Sequence, residues 1–119
     1  RRTAAVGDGW ISLMYYPNEE AERQIARLRE MVREAGRRED AVGIDSWVSM
    51  AEAADDGSTT VTSPDRWREE IDGWNKLGIS HVTLNTAFNN RHHRPISGTS
   101  VDDHINAIRR YHETVSDLL

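Results

Sequence analysis

The sequence predicts an α/β fold in which parallel strands alternate with amphipathic helices. Short apolar runs bounded by turn residues alternate with longer segments of helical periodicity along the whole chain. The helical segments begin at residues that cap helices well and end at glycine. Because successive strands are separated by helices, each connection is a crossover, and crossovers join parallel strands.

The first half of the chain contains the end of one helix, a short strand and a complete helix. The segment RRTAAV is the end of a helix that stops at Gly7, and the first strand covers residues 10–13. The complete helix has Asn18 as its N-cap, carboxylates in its first turn and Gly36 as its stop. Its predicted buried stripe comprises Ala21, Ile25, Leu28, Val32 and Ala35.

The second strand covers residues 44–50, and Trp47 points to the face opposite Ile44 and Val48. Apolar side chains on both faces suit a strand that is buried on both sides. Residues 51–63 form a long polar loop in this interpretation.

The second half contains two more helices and the third strand. Ser63 and Pro64 open a helix whose buried stripe is Trp67, Ile71, Trp74 and Leu77. The third strand covers residues 81–86, and a second long loop covers residues 87–99. A capping box of Ser100 and Asp103 opens the last helix. Its predicted buried stripe is Val101, Ile105, Ile108, Val115 and Leu119, interrupted by His112.

Composition limits the class of protein. A length of 119 residues fits one domain, taken as residues 1–119. The net charge of −5 argues against nucleic acid as a partner, since phosphate binding needs a basic face. No apolar run is long enough to span a membrane, and there is no cysteine to form a disulfide. We therefore expect a cytoplasmic protein.

Coverage of the sheet predicts a partial (β/α)8 TIM barrel. A purely parallel sheet is covered on both faces, yet the amphipathic helices would cover only one. In a closed barrel the other face is the packed interior. Three strands cannot close a barrel. We therefore expect either a missing N-terminal barrel portion or a homo-oligomer in which copies of the chain cover one another.

Three segments resemble the luciferase-like monooxygenase family: RRTAAVGDGW, the helix EEAERQIARLREMVREAGR, and DRWREEIDGWNKLGISHVTLNT. The helix is most similar to the F420-dependent branch. The resemblance implies that the strands are the sixth, seventh and eighth of the barrel. It also implies hydride transfer between reduced F420 or FMN and a small organic substrate, with oxygen as a second acceptor in the monooxygenases. The family's early strands carry most flavin contacts, so we expect this chain to be inactive alone and assign no catalytic residue.

Two of the loops that follow strands offer candidate site residues, because active sites of such barrels lie at the carboxyl ends of the strands. Tyr15 and Tyr16 could form a wall for the flat ring of F420 or FMN, since tyrosine has a rigid apolar face. Glu52 could accept a hydrogen bond from a substrate hydroxyl. The alternatives are ordinary loop packing for the tyrosines and a solvated carboxylate for Glu52.

A cationic cluster follows the third strand. Arg91 and Arg94 flank His92 and His93 in an otherwise acidic chain. Arginine binds phosphate or carboxylate through two hydrogen bonds, so Arg91 and Arg94 are candidates for the cofactor and the histidines for the substrate. A surface loop with incidental charge is the alternative. No third ligand lies at a recognisable spacing, so no metal site is predicted.

A non-catalytic function is the alternative for the whole chain. An isolated three-stranded parallel sheet exposes one face and two edges, which favours self-association. In that case the chain is a partial barrel stabilised by homo-oligomerisation. A simple anion-binding module that uses residues 91–94 is a third hypothesis.

Overall fold

The computed structural model describes residues 1–12, 16–53, 59–61, 63–86 and 100–119. The helices and strands alternate as predicted, with one additional pair of strands. In chain order they are α1 Arg2–Val6, β1 Gly9–Ile11, α2 Glu19–Glu34, β2 Gly43–Ser49, β3 Ala51–Ala53, β4 Thr59–Val61, α3 Pro64–Leu77, β5 His81–Asn85 and α4 Val101–Val115. A single 3₁₀ turn, Ser116–Leu118, follows α4.

The main sheet is parallel and has three strands in the order β1-β2-β5. Strand β1 pairs with β2 in a register that aligns Gly9 with Gly43 and Ile11 with Asp45. The neighbours in the sheet follow the order of the chain, apart from the short strands β3 and β4. The α/β class and the parallel sheet are therefore confirmed, and the described strands form an open sheet, not a closed barrel.

Helices α2 and α3 bury the stripes that their periodicity predicts. Each places one apolar row in the core at helical spacing. The buried residues are Ala21, Ile25, Leu28 and Val32 in α2, and Trp67, Ile71 and Trp74 in α3. Ala35, at the end of the predicted α2 stripe, is exposed because the helix ends at Glu34 and Ala35 is its C-cap. Leu77 is only half-buried.

The predicted ends of α2 and α3 are confirmed by their hydrogen bonds. The side chain of Asn18 accepts from the backbone N–H of Ala21, and Ser63 accepts from Arg66 in the same way. Gly36 and Gly78 adopt φ values of +73° and +67°, in the left-handed region that glycine enters without a steric penalty. Local sequence therefore determines where these two helices begin and end.

Gly7 ends α1 for a different reason. Its φ is −84°, so no left-handed turn is involved. A Cβ at this position would lie 2.8 Å from the carbonyl oxygen of Thr3, which leaves no room for a side chain. The guanidinium of Arg37 donates to the carbonyl oxygens of Ala4 and Gly7 and completes the helix end.

The chain divides into two compact units. The first comprises Arg1–Trp47 and Gly73–Thr83, and contains α1, β1 and α2 together with the first parts of β2 and β5. The second comprises Val48–Asp72 and Leu84–Leu119. The boundaries between them fall within β2, α3 and β5, and not in a linker.

The prediction of a continuous loop over residues 51–63 is wrong. Strands β3 and β4 form an antiparallel pair within the second unit, with Glu52 opposite Thr60. Both strands are only three residues long, and pairs this short are difficult to predict because a strand signal needs a longer alternating run. This pair is separate from the parallel sheet.

The predicted buried face of α4 is also wrong, except at Val115. The helix buries Ala107, Tyr111 and Val115, whereas most of the predicted stripe is exposed. The ring centroid of Tyr111 lies 5.3 Å from that of Trp67, and large aromatic surfaces contribute most to burial. The helix has two adjacent apolar faces, and its contact with Trp67 selects the one that carries Tyr111.

The end of α4 is held by Arg68, which leads to a pH-dependent prediction. The guanidinium donates to both carboxylate oxygens of Asp117, at 2.6 and 2.8 Å, and to the carbonyl oxygen of Thr114. The hydrogen bonds from Arg68 to the carboxylate lower the pKa of Asp117. We expect Arg68→Met to return that pKa toward its ordinary value in a carbon-detected NMR titration, whereas Arg66→Met leaves it unchanged.

The sign of the effect on stability follows from the direction of the shift. Because the pKa of Asp117 is lower in the folded state than in the unfolded state, the pair stabilises the fold above about pH 4. That contribution is lost as the pH falls through the folded-state pKa. A pKa of Asp117 that is the same with and without Arg68 would contradict the prediction.

Candidate functional site

The two faces of the parallel sheet differ in burial within the first unit. Alternate residues of β2 show the difference: Ile44, Ser46 and Val48 are buried, whereas Asp45 and Trp47 are only partly covered. In β1, Ile11 is on the same face as Asp45 and is 68% exposed. We call this side the open face; in the first unit it comprises Gly9, Ile11, Gly43, Asp45, Trp47, His81 and Thr83.

The centre of the open face carries a carboxylate that is hydrogen-bonded across two strands. The hydroxyl of Thr83 on β5 donates to Asp45 on β2, with oxygen–oxygen distances of 2.9 and 3.1 Å. Aspartate is rare in strands, so its presence here indicates a specific environment. A carboxylate accepts about four hydrogen bonds, so Asp45 can also accept from a guanidinium, an amine or a hydroxyl above the sheet.

The covered face of the sheet carries a second polar pair. The hydroxyls of Ser12 and Ser46 are 3.0 Å apart, and both residues are fully buried. Ser12 directly follows β1, and its backbone N–H donates to the carbonyl oxygen of Asp45. The pair satisfies two hydroxyls that burial would otherwise destabilise, so we assign it a structural role.

The predicted tyrosine wall is only partly within the described residues. Tyr16 is 41% exposed in the turn before α2, and its carbonyl oxygen accepts from the backbone N–H of Asn18. An exposed ring at this position is compatible both with a wall for a ligand and with an ordinary surface residue. Tyr15 lies outside the described residues.

The other predicted site residues have no described side chain. Glu52 lies in β3, where its backbone is described and its side chain is not. The cationic cluster of Arg91, His92, His93 and Arg94 lies outside the described residues. Their roles in binding cofactor and substrate therefore stay predictions.

The two ends of the segment that carries the cationic cluster are described. Thr86 follows β5 and His104 lies in the first turn of α4, on opposite sides of residues 87–99. Their side chains form a hydrogen bond of 3.1 Å between Oγ1 and Nδ1. This contact joins the end of β5 to the first turn of α4 within the second unit.

A cleft of the first unit lies at the opposite end of the strands. It has a volume of about 590 Å³ and is lined by Gly43, Ile44 and Ser80 at the amino ends of β2 and β5, together with charged residues that include Arg29. Arg29 donates to the carbonyl oxygens of Leu77 and Gly78 and so completes the end of α3.

Sequence reasoning did not identify the pair of Asp45 and Thr83. A signal was present, because aspartate is depleted in strands and Asp45 lies within the predicted strand over residues 44–50. Its partner could not be predicted, since the register between β2 and β5 is a property of the assembled sheet.

No protein-family model, no curated protein and no solved structure matched the chain. Within the described residues there is no group of three potential metal ligands. The helices in the same part of the chain are too short or too polar to cross a membrane.

Proposed function

We propose that the chain forms the last three βα units of a (β/α)8-barrel oxidoreductase. The observation that carries this proposal is the parallel sheet with neighbours in chain order, one covered face and one open face. In a doubly wound sheet the strand order reverses and helices cover both faces. In a barrel, consecutive strands are neighbours, helices cover the outside, and the other face is the interior.

The proposed activity is hydride transfer between F420 or FMN and a small organic substrate. Its support is the resemblance of the helices and turns to luciferase-like monooxygenases. The cofactor would supply the redox chemistry, and the protein would bind it, orient it and exclude water. In this proposal the chain contributes the loops after its three strands.

The described residues of those loops fit a cofactor only in part. They include one exposed aromatic ring, that of Tyr16, but no arginine or lysine for a phosphate group. In the whole sequence, the cations that follow strands are Arg91 and Arg94. Phosphate binding by this part of the barrel would therefore depend on these two residues.

A binding titration tests the proposal. F420 and FMN would each be titrated, with fluorescence as the readout, into the 119-residue chain and into the product of the complete open reading frame that contains it. We expect binding by the complete product and none by the chain alone, because the chain supplies only part of the barrel. A complete product that binds neither cofactor would contradict the proposal.

Substitutions in the complete product test the role of the cationic cluster. The double variant Arg91→Ala/Arg94→Ala is expected to weaken cofactor binding about 10- to 100-fold, because each substitution removes charge-assisted hydrogen bonds to the cofactor phosphate. Arg38→Ala is the matched control, because Arg38 lines the cleft at the amino ends of the strands. Equal affinity of the double variant and the control would show that Arg91 and Arg94 do not bind the cofactor.

A further inference from the structure

Helix α4 has an exposed apolar row in addition to its buried face. Val101 is 73% exposed, Ile108 is 50% exposed, and Ile105 and His112 are also exposed. We call these four residues, three apolar side chains followed by a histidine, the outer stripe. The row lies next to the face that packs on Trp67, so the helix presents apolar residues on two sides. A surface helix needs only one apolar side for its own fold.

The spacing of the outer stripe is that of a helix–helix seam. The intervals between Val101, Ile105, Ile108 and His112 are four, three and four residues, which are the intervals of the a and d positions of a heptad repeat. Side chains at these positions interlock with the same positions of a second helix. The outer stripe therefore fits an α-helix with a similar apolar row.

The flank of the outer stripe indicates which helix this is. Asp102 and Arg109 are both exposed, lie seven residues apart, and occupy the same flank of the row. If two copies of α4 pair antiparallel about a two-fold axis, this flank of one copy lies against the same flank of the other copy, and the two run in opposite directions. Asp102 of one copy then lies opposite Arg109 of the other, twice per dimer.

A parallel pair lacks this match. The Asp102 flank would then face the opposite flank of the second helix, where His104 and the buried Tyr111 lie. The antiparallel arrangement also places Ile105 of each copy against Ile108 of the other. We propose that a second copy of this chain docks on the outer stripe of α4, so that the chain forms an antiparallel two-fold dimer.

This proposal is independent of the proposed enzymatic function. A sheet-to-sheet dimer would cover the open face, whereas the proposed dimer uses α4 alone. Substitutions on the two surfaces distinguish these modes of association.

The test is the concentration dependence of the molar mass, measured by sedimentation equilibrium on the 119-residue chain. A single helix pair is smaller than a standard interface, so we expect a dissociation constant of roughly 10–100 μM. Ile108→Glu places two carboxylates in the centre of the seam and is expected to raise that constant at least about 100-fold. Two controls are expected to leave it unchanged: Asn106→Glu, on another side of α4, and Ile11→Glu, on the open face.

A charge exchange provides a second measurement that does not rest on apolar packing. Asp102→Arg and Arg109→Asp are each expected to weaken the dimer about tenfold, because each places like charges opposite one another. The double variant restores opposite charges and is expected to recover to within about threefold of the original dissociation constant. Circular dichroism verifies that every variant retains its helix content.

Three results would overturn the proposal. They are a monomer at about 1 mM, a dimer that Ile108→Glu leaves intact, and a double charge variant that binds more weakly than both single variants. A dimer lost through Ile11→Glu but not through Ile108→Glu would place the contact on the open face and would also reject it.

Discussion

Trp67→Ala is expected to lower the free energy of unfolding by about 3–5 kcal/mol, since large-to-small changes in a packed core lose both contacts and volume. Trp67 is 1% exposed and stacks on Tyr111 at a tilt, and the guanidinium carbon of Arg110 lies 5.4 Å from the centre of its ring. Its indole N–H also donates to the carbonyl oxygen of Met50 at 3.4 Å. Urea denaturation followed by circular dichroism measures the change.

Phenylalanine substitutions separate the ring from its hydrogen bond. Trp74 is buried in the same helix, and its indole N–H has no hydrogen-bond partner within the described residues. Trp67→Phe loses a hydrogen bond, whereas Trp74→Phe removes a buried donor that has none to lose. We expect Trp67→Phe to be the more destabilising by about 1 kcal/mol. The opposite order would show that the bond to Met50 contributes little.

Gly73→Val is expected to lower the free energy of unfolding by about 3 kcal/mol, at the upper end of the usual cost of overpacking. A Cβ at this position would lie 2.6 and 2.9 Å from the Cγ and Cβ atoms of Pro17. The proline ring is rigid, so the clash cannot be relieved by a rotamer change. The same urea titration provides the measurement.

Removal of the opposing ring tests the cause. Pro17→Gly deletes the atoms that the valine would meet, so the double variant should be less destabilised than the sum of the two single variants by at least about 1 kcal/mol. Simple addition of the two effects would mean that the cost of Gly73→Val arises from the helix backbone and not from the contact with Pro17.

The positions of the helices and strands were largely predictable. Asn18 and Ser63 cap helices through hydrogen bonds to residues three positions along the chain, and Gly36 and Gly78 end helices through their own backbone angles. Such interactions act within one turn, so the sequence contains all that they need. The same is true of the capping box at the start of α4.

Features that depend on distant residues were missed or wrong. A glycine within a helix costs about 1 kcal/mol relative to alanine. The presence of Gly73 in α3 is explained only by its close approach to Pro17. The antiparallel pair β3–β4 and the cross-strand bond of Asp45 to Thr83 arise from pairing between separate segments. No local pattern encodes these contacts.

The sequence alone determined the α/β class, the order of the helices and strands, and the inner faces of α2 and α3, because caps, turns and single apolar stripes act over a few residues. Tertiary structure decided which side of α4 is buried and which face of the sheet is left open. Helix α4 carries apolar residues on two sides, so its packing, with Tyr111 against Trp67, decides which side is buried.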